Sequence, residues 1–209
     1  RSAGFKSFNL QTNYRQGEGE FLKALESIRI GEITKEADEL LSSRIGAKLD
    51  ANFDPVRIFP HRKTAHNENM KRLQQLPASK MVSEAEYTGG KYDVESLMKE
   101  CPAENELYFC LDAQVVMLTN DKKGRWVNGT MATIEAVDKN GNPTVRLSNG
   151  KIIPLEHHTW ERVRHVVKKK QVETKTLATM SQFPFKLAYA TTIHKSQGLT
   201  LDYVDMDLS

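Results

Sequence analysis

Apolar positions along the chain switch between two periods. Phe21, Leu22, Leu25 and Ile28 recur at helical spacing, with Gly31 placed to stop the helix. Thr34 is placed to cap a second helix that keeps Ala37, Leu40 and Leu41 on one side and has Gly46 beyond its end. Val56-Arg57-Ile58-Phe59 reads as a short buried strand closed by Pro60. Thr64 is the expected cap of a third helix carrying Met70, Leu73 and Leu76 and stopped by Pro77. From residue 78 the period shortens: Met81, Ser83, Ala85 and Tyr87 alternate with Val82, Glu84 and Glu86, as on a half-buried strand. Gly89-Gly90 marks a turn, Asp93 to Lys99 one or two helical turns, and Leu107 to Thr119 a β-prone run. Asn128-Gly129, Asn140-Gly141-Asn142-Pro143 and Ser148-Asn149-Gly150 then separate three short strands, Thr130–Val137, Thr144–Leu147 and Lys151–Leu155. Near the end, an apolar run from Phe185 gives way to a dense polar insert, and a second β-like run spans Leu201 to Leu208.

The early order is helix, helix, strand, helix, and the late order strand, short helix, strand. Together they predict an α/β domain with a mainly parallel sheet. The closely spaced strands of the middle predict a small antiparallel barrel or sandwich set into it.

Composition changes this picture little. With 39% hydrophobic and 27% charged residues, the 209-residue chain is expected to form one large domain or two small ones. No run of about 18 apolar residues is present, and no signal-peptide pattern. The chain opens at Arg1 in mid-pattern, which is expected of a piece of a longer protein. Cys101 and Cys110 form neither a disulfide framework nor a zinc pattern and read as free thiols in a reducing cytosol. His157-His158 lacks further ligands at useful spacing, so no metal is expected there. The net charge of +3 is concentrated in the second half, and residues 160–175 carry six Lys or Arg against two acids. That bias permits nucleic-acid binding. It also suits a solvated hairpin edge guarded by lysines.

The candidate chemistry lies in the polar insert. A strand feeding a helix that starts at Thr191 or Thr192 turns free backbone N–H groups toward one spot, a place suited to phosphate. The hydroxyls of Thr191, Thr192 and Ser196, with His194 and Lys195, add side-chain donors. No Gly-x-x-x-x-Gly-Lys-[Ser/Thr] loop and no acidic Mg²⁺ motif occurs in the 209 residues.

The run Leu187-Ala-Tyr-Ala-Thr-Thr-Ile-His-Lys-Ser-Gln-Gly-Leu-Thr-Leu-Asp202 resembles motif V of superfamily 1 helicases, of the 5′→3′ group that includes RecD, Dda and the petite-integration-frequency helicases. Asn13-Tyr14-Arg15-Gln16 resembles motif IV of the same group. The resemblance implies a second RecA-like domain over residues 1–110 and 183–209 and an SH3-like insert over 111–182, cut before motif VI. It implies that Arg15 stabilises charge on the γ-phosphate of ATP, that Gln16, Gln197 and Gly198 lie by the nucleotide, and that Thr192, His194, Lys195 and Ser196 face single-stranded DNA. Arg62, Lys63 and Thr64 are further phosphate candidates, and Lys168, Lys169 and Lys170 suit a DNA-tracking surface. Pro60-His61 stands where the family has Thr-Asn, so no DNA contact is carried over to His61.

In the parent enzyme the implied cofactors are ATP and Mg²⁺. The implied partners are single-stranded DNA and the N-terminal RecA-like domain of the same protein, in a monomer in a bacterial or phage-like cytoplasm without a membrane. Two other readings are a helicase-like part of a RecD-type exonuclease subunit or conjugative relaxase, and a non-enzymatic nucleic-acid-binding module.

Overall fold

Local signals set most of the element boundaries. In this computed structural model, which describes residues 6, 19–47, 54–168, 171–197, 199, 201 and 203–206, two units separate at Asp50. The first holds α1 (Glu20–Arg29) and α2 (Lys35–Ser42). Gly31, at φ +84°, turns the chain out of α1. The Thr34 hydroxyl caps α2 by accepting a hydrogen bond from the Ala37 N–H.

The second unit begins with β1 (Val56–Phe59) and α3 (Arg62–Gln75). α3 starts two residues before the expected cap: His61 occupies the N-cap position, without a side-chain cap, and Thr64 lies inside the helix. Pro60 ends the strand and the helix follows at once, which leaves no room for a cap at Thr64. β2 (Met81–Glu84) and β3 (Glu86–Gly89) divide the single strand expected at 81–87, because Ala85 hands the chain from one sheet to another. α4 (Lys91–Glu100) follows, then β4 (Glu106–Phe109) and β5 (Gln114–Met117). The three strands between turn signals are β6 (Met131–Val137), β7 (Pro143–Leu147) and β8 (Ile152–Pro154). A long hairpin of β9 (His158–Lys168) and β10 (Gln171–Gln182) leads to β11 (Phe185–Leu187), β12 (Ala190–Thr192), α5 (Ile193–Ser196) and β13 (Val204–Met206).

The expected parallel sheet is present but small. β1 lies between β12 and β13, parallel to both. All other described pairings are antiparallel, in the orders β11-β5-β6-β7-β8, β3-β10-β9 and β2-β4. The fold is therefore mixed α/β with mostly antiparallel sheet. No described pairing joins β11 to β8 across the five-stranded sheet.

The main core fills the inner face of that sheet. Leu107, Phe109, Val115, Met117, Ile134, Val145, Leu147 and Phe185 are almost fully buried there, and Phe109 meets Phe185 edge to face at 5.6 Å. A satellite cluster of Leu97, Ala178 and Met180 seats α4 on β10, with Trp160 packed against it. Gly89 makes this approach possible: at φ +120° it faces Ala178, and a Cβ there would stand 2.5 Å from the Leu177 carbonyl oxygen.

Candidate nucleic-acid interface

β11 belongs to the five-stranded antiparallel sheet and β12 to the parallel one, so the chain changes sheets across Ala188 and Tyr189. A bend of this kind strands backbone groups that regular pairing would satisfy. Two side chains, Gln114 buried and Asn69 half-buried, take them up. Asn69 on α3 accepts from the N–H groups of Tyr189 and Ala190 at 3.0 and 2.8 Å, and donates to the Ala190 carbonyl at 2.9 Å. Gln114 on β5 donates from its amide to the carbonyls of Asp54 and Ala188, both at 2.9 Å. Its backbone N–H donates to the Tyr189 hydroxyl. Arg72 lies over the Tyr189 ring and pairs with Asp54.

The strand held this way delivers the polar insert. Thr192 caps α5, its hydroxyl accepting from the Lys195 N–H at 3.3 Å. α5 is a single turn, so its dipole is small and any attraction for phosphate must come chiefly from side chains. The Ser196 hydroxyl donates back to the Ile193 carbonyl and is used within the turn. His194 and Lys195 stand exposed.

A groove of about 1230 Å³ runs beside α5, with Arg62 and His66 from α3, Lys186 from β11, and His194, Lys195 and Gln197 along it. The end of α4, the connection that follows it and the start of β4 also line the groove, with Glu100, Glu104 and Glu106. A smaller cavity of about 190 Å³ shares Arg62, Lys186 and Lys195 and adds Thr191 and Thr192. Lys186 is buried; desolvation, and then the charge of Lys195, push its ammonium down to about 8, with Glu104 opposing.

The structure thus brings Arg62, His194, Lys195 and Gln197 to one groove and Thr191 and Thr192 to the adjoining cavity. Lys63 and Thr64 are exposed on α3 and line neither. Arg15, Gln16, Gly198, Lys169 and Lys170 lie outside the described residues, as does the side chain of Lys168. Two members of the basic stretch before them are already engaged. Trp160 packs on the α4 cluster, and Arg162 pairs with Asp93 and Glu100 on α4. His157 and His158 meet Phe183 and Trp160 edge to face, and no group of three metal-ligating side chains occurs among the described residues. Sequence reasoning missed Lys186, Asn69 and Gln114. A lysine inside the otherwise apolar run Phe183–Ala190 was the one visible signal.

No family model matches the chain. Among curated proteins, the ATP-dependent DNA helicase Pif1 of Bdellovibrio bacteriovorus is 33% identical over 207 residues, which is 99% of this chain and 45% of that protein. This chain is homologous to a segment of the Pif1 helicases. The homology agrees with the superfamily 1 resemblance of residues 187–202. Among solved structures, Bacteroides sp. Pif1 in complex with ADP-AlF4 matches with a TM-score of 0.80 at 28% identity, over 94% of this chain and 44% of that one. Bacteroides Pif1 bound to ssDNA matches with a TM-score of 0.62 at the same identity and coverage. The chain spans just under half the length of these Pif1 relatives.

Proposed function

We propose that this chain is part of the motor of an ATP-dependent DNA helicase that couples ATP hydrolysis to 5′→3′ movement on single-stranded DNA. In this reading residues 1–110 and 183–209 form the second RecA-like domain and 111–182 an SH3-like insert. The observation that carries it is the convergence of Arg62, Lys186, His194 and Lys195 on one groove in a chain homologous to Pif1 helicases. The relatives are named helicases, which favours this reading over an exonuclease subunit, a relaxase or a non-enzymatic binding module.

Single-stranded DNA would lie along the groove, its phosphates on the basic side chains. ATP would lie against the N-terminal RecA-like domain of the same protein, with Arg15 toward the γ-phosphate and Gln16, Gln197 and Gly198 beside the nucleotide. Bound Mg²⁺ would neutralise charge on the phosphates; the described residues hold no acidic cluster fitted to it, so no ligand is assigned to it here.

Binding of labelled oligo(dT) at several salt concentrations tests the groove. Lys195→Ala is expected to weaken binding and to reduce the slope of log K against log salt by about 0.7, one phosphate contact on a single strand. An unchanged slope would remove Lys195 from the interface.

A further inference from the structure

The hairpin of β9 and β10 outruns its sheet. β3 pairs with β10 only from Ala178 to Ser181, and toward the tip residues 163–165, 167 and 172–176 are exposed. β9 is the end strand of the order β3-β10-β9, and every second residue of such a strand turns its N–H and C=O away from the neighbour it pairs with. No other described backbone group bonds to β9 on that side. A two-stranded ribbon exposed on both faces is marginal in water, and a further strand stabilises it.

The register sorts the ribbon into two unlike faces. Val167 lies opposite Val172 and Val163 opposite Thr176, with the pair of His165 and Thr174 between them. Val167, Val172 and Val163 are 75%, 67% and 39% exposed. The other face meets α4 at its root, through Trp160 and Arg162. Farther out on it Arg164 stands opposite Lys175, and like charges so placed weaken the pairing. Residues 163–176 carry five Lys or Arg against one acid.

We propose that the open edge of β9 is a docking site for an extended segment of another protein, one that alternates apolar and acidic residues and adds as a further strand. Period two sets its apolar side chains beside Val163 and Val167 and its carboxylates beside Arg164, where they also offset the repulsion from Lys175. Charge selects this occupant. A second copy of the ribbon would set cation against cation, which opposes edge-to-edge pairing. Nucleic acid fits less well, because Trp160 and Arg162 are held by α4 and residues 163–176 contain no Phe, Tyr or Trp on which a base could stack. The valine face offers a phosphate only His165. The surface stands apart from the groove beside α5 and does not depend on how that groove is read.

The test uses the 209-residue chain and three labelled probes: a peptide of alternating Val and Glu as long as β9, the same residues shuffled so that acids fall on both faces, and oligo(dT). It reads affinity and amide hydrogen exchange along β9 and β10. The alternating peptide is expected to bind and to slow exchange at the open-edge amides of β9, and the shuffled peptide to bind about tenfold more weakly. Arg164→Glu is expected to weaken the alternating peptide about tenfold, and Val167→Ser several-fold. Both side chains are exposed, so melting temperatures close to that of the parent chain will show that the variants fold. Equal binding of the shuffled peptide, or unchanged exchange in β9, overturns strand addition. Parent-like binding by Arg164→Glu overturns the charge match. If oligo(dT) displaces the alternating peptide from β9, the ribbon serves nucleic acid and the proposal is overturned. No binding of the alternating peptide overturns it too, and leaves the groove reading as it was.

Discussion

Asn69 holds more of the groove's backbone than its position on α3 suggests. Two N–H groups and a carbonyl at the sheet-changing bend depend on its amide. Asn69→Ala leaves all three without that partner and is expected to cost about 2–4 kcal/mol, read as a shift in the denaturant midpoint. Asn69→Asp keeps an acceptor for the two N–H groups and is expected to cost less. The Asn69 role was not legible in the sequence, because its partners lie 120 and 121 residues away. The same holds for Gln114, whose carbonyl partners are 60 and 74 residues off. Thr34, by contrast, was legible as a cap because its partner is three residues on. Lys186 falls between these cases: its presence in an apolar run was visible, but its burial depends on α3 and on the chain after α4.

At the scale of elements, the strands and helices with local punctuation were readable and the sheet assignments were not. Gly31, Pro60 and the Asn-Gly pairs act on their immediate neighbours, so α1, β1 and the strands β6 to β8 fall close to their expected places. The alternation from Met81 to Tyr87 is equally local, yet it serves two strands in two sheets, since period two says which face is buried and not which partner is taken. Gly89 ends the second of these strands. Alanine there would combine a positive φ with a Cβ driven against the backbone of residues 177 and 178. Gly89→Ala is expected to cost about 3 kcal/mol and to lower the melting temperature by roughly 10 °C. A melting temperature within a degree or two of the parent would mean that α4 and β10 part easily.

At the scale of the molecule, recognisable chemistry and fold class were both within reach of the sequence, because motif V is a continuous stretch of the chain. The balance of sheet types was not, since it depends on long-range pairing. Residues proposed for ATP are confined to Arg15, Gln16, Gln197 and Gly198, and none of them replaces a phosphate-cradling loop. ATP turnover by the 209-residue chain is therefore expected at background in a coupled assay. In a helicase of the kind proposed that contains this chain, Arg15→Ala is expected to lower kcat by up to about 10³-fold while leaving oligo(dT) affinity within about twofold.

The passage from β11 to β12 is only Ala188 and Tyr189 long, and both residues are buried and hydrogen-bonded on either side. A joint this short has no slack. Any tilt of the five-stranded sheet relative to the parallel sheet must be taken up by Thr191 to Ser196, because no loop lies between to absorb it. The floor of the groove and the core of the antiparallel sheet therefore work as one stiff linkage, and the spacing of the cations along the groove is geared to the packing of Phe109 and Phe185 behind it.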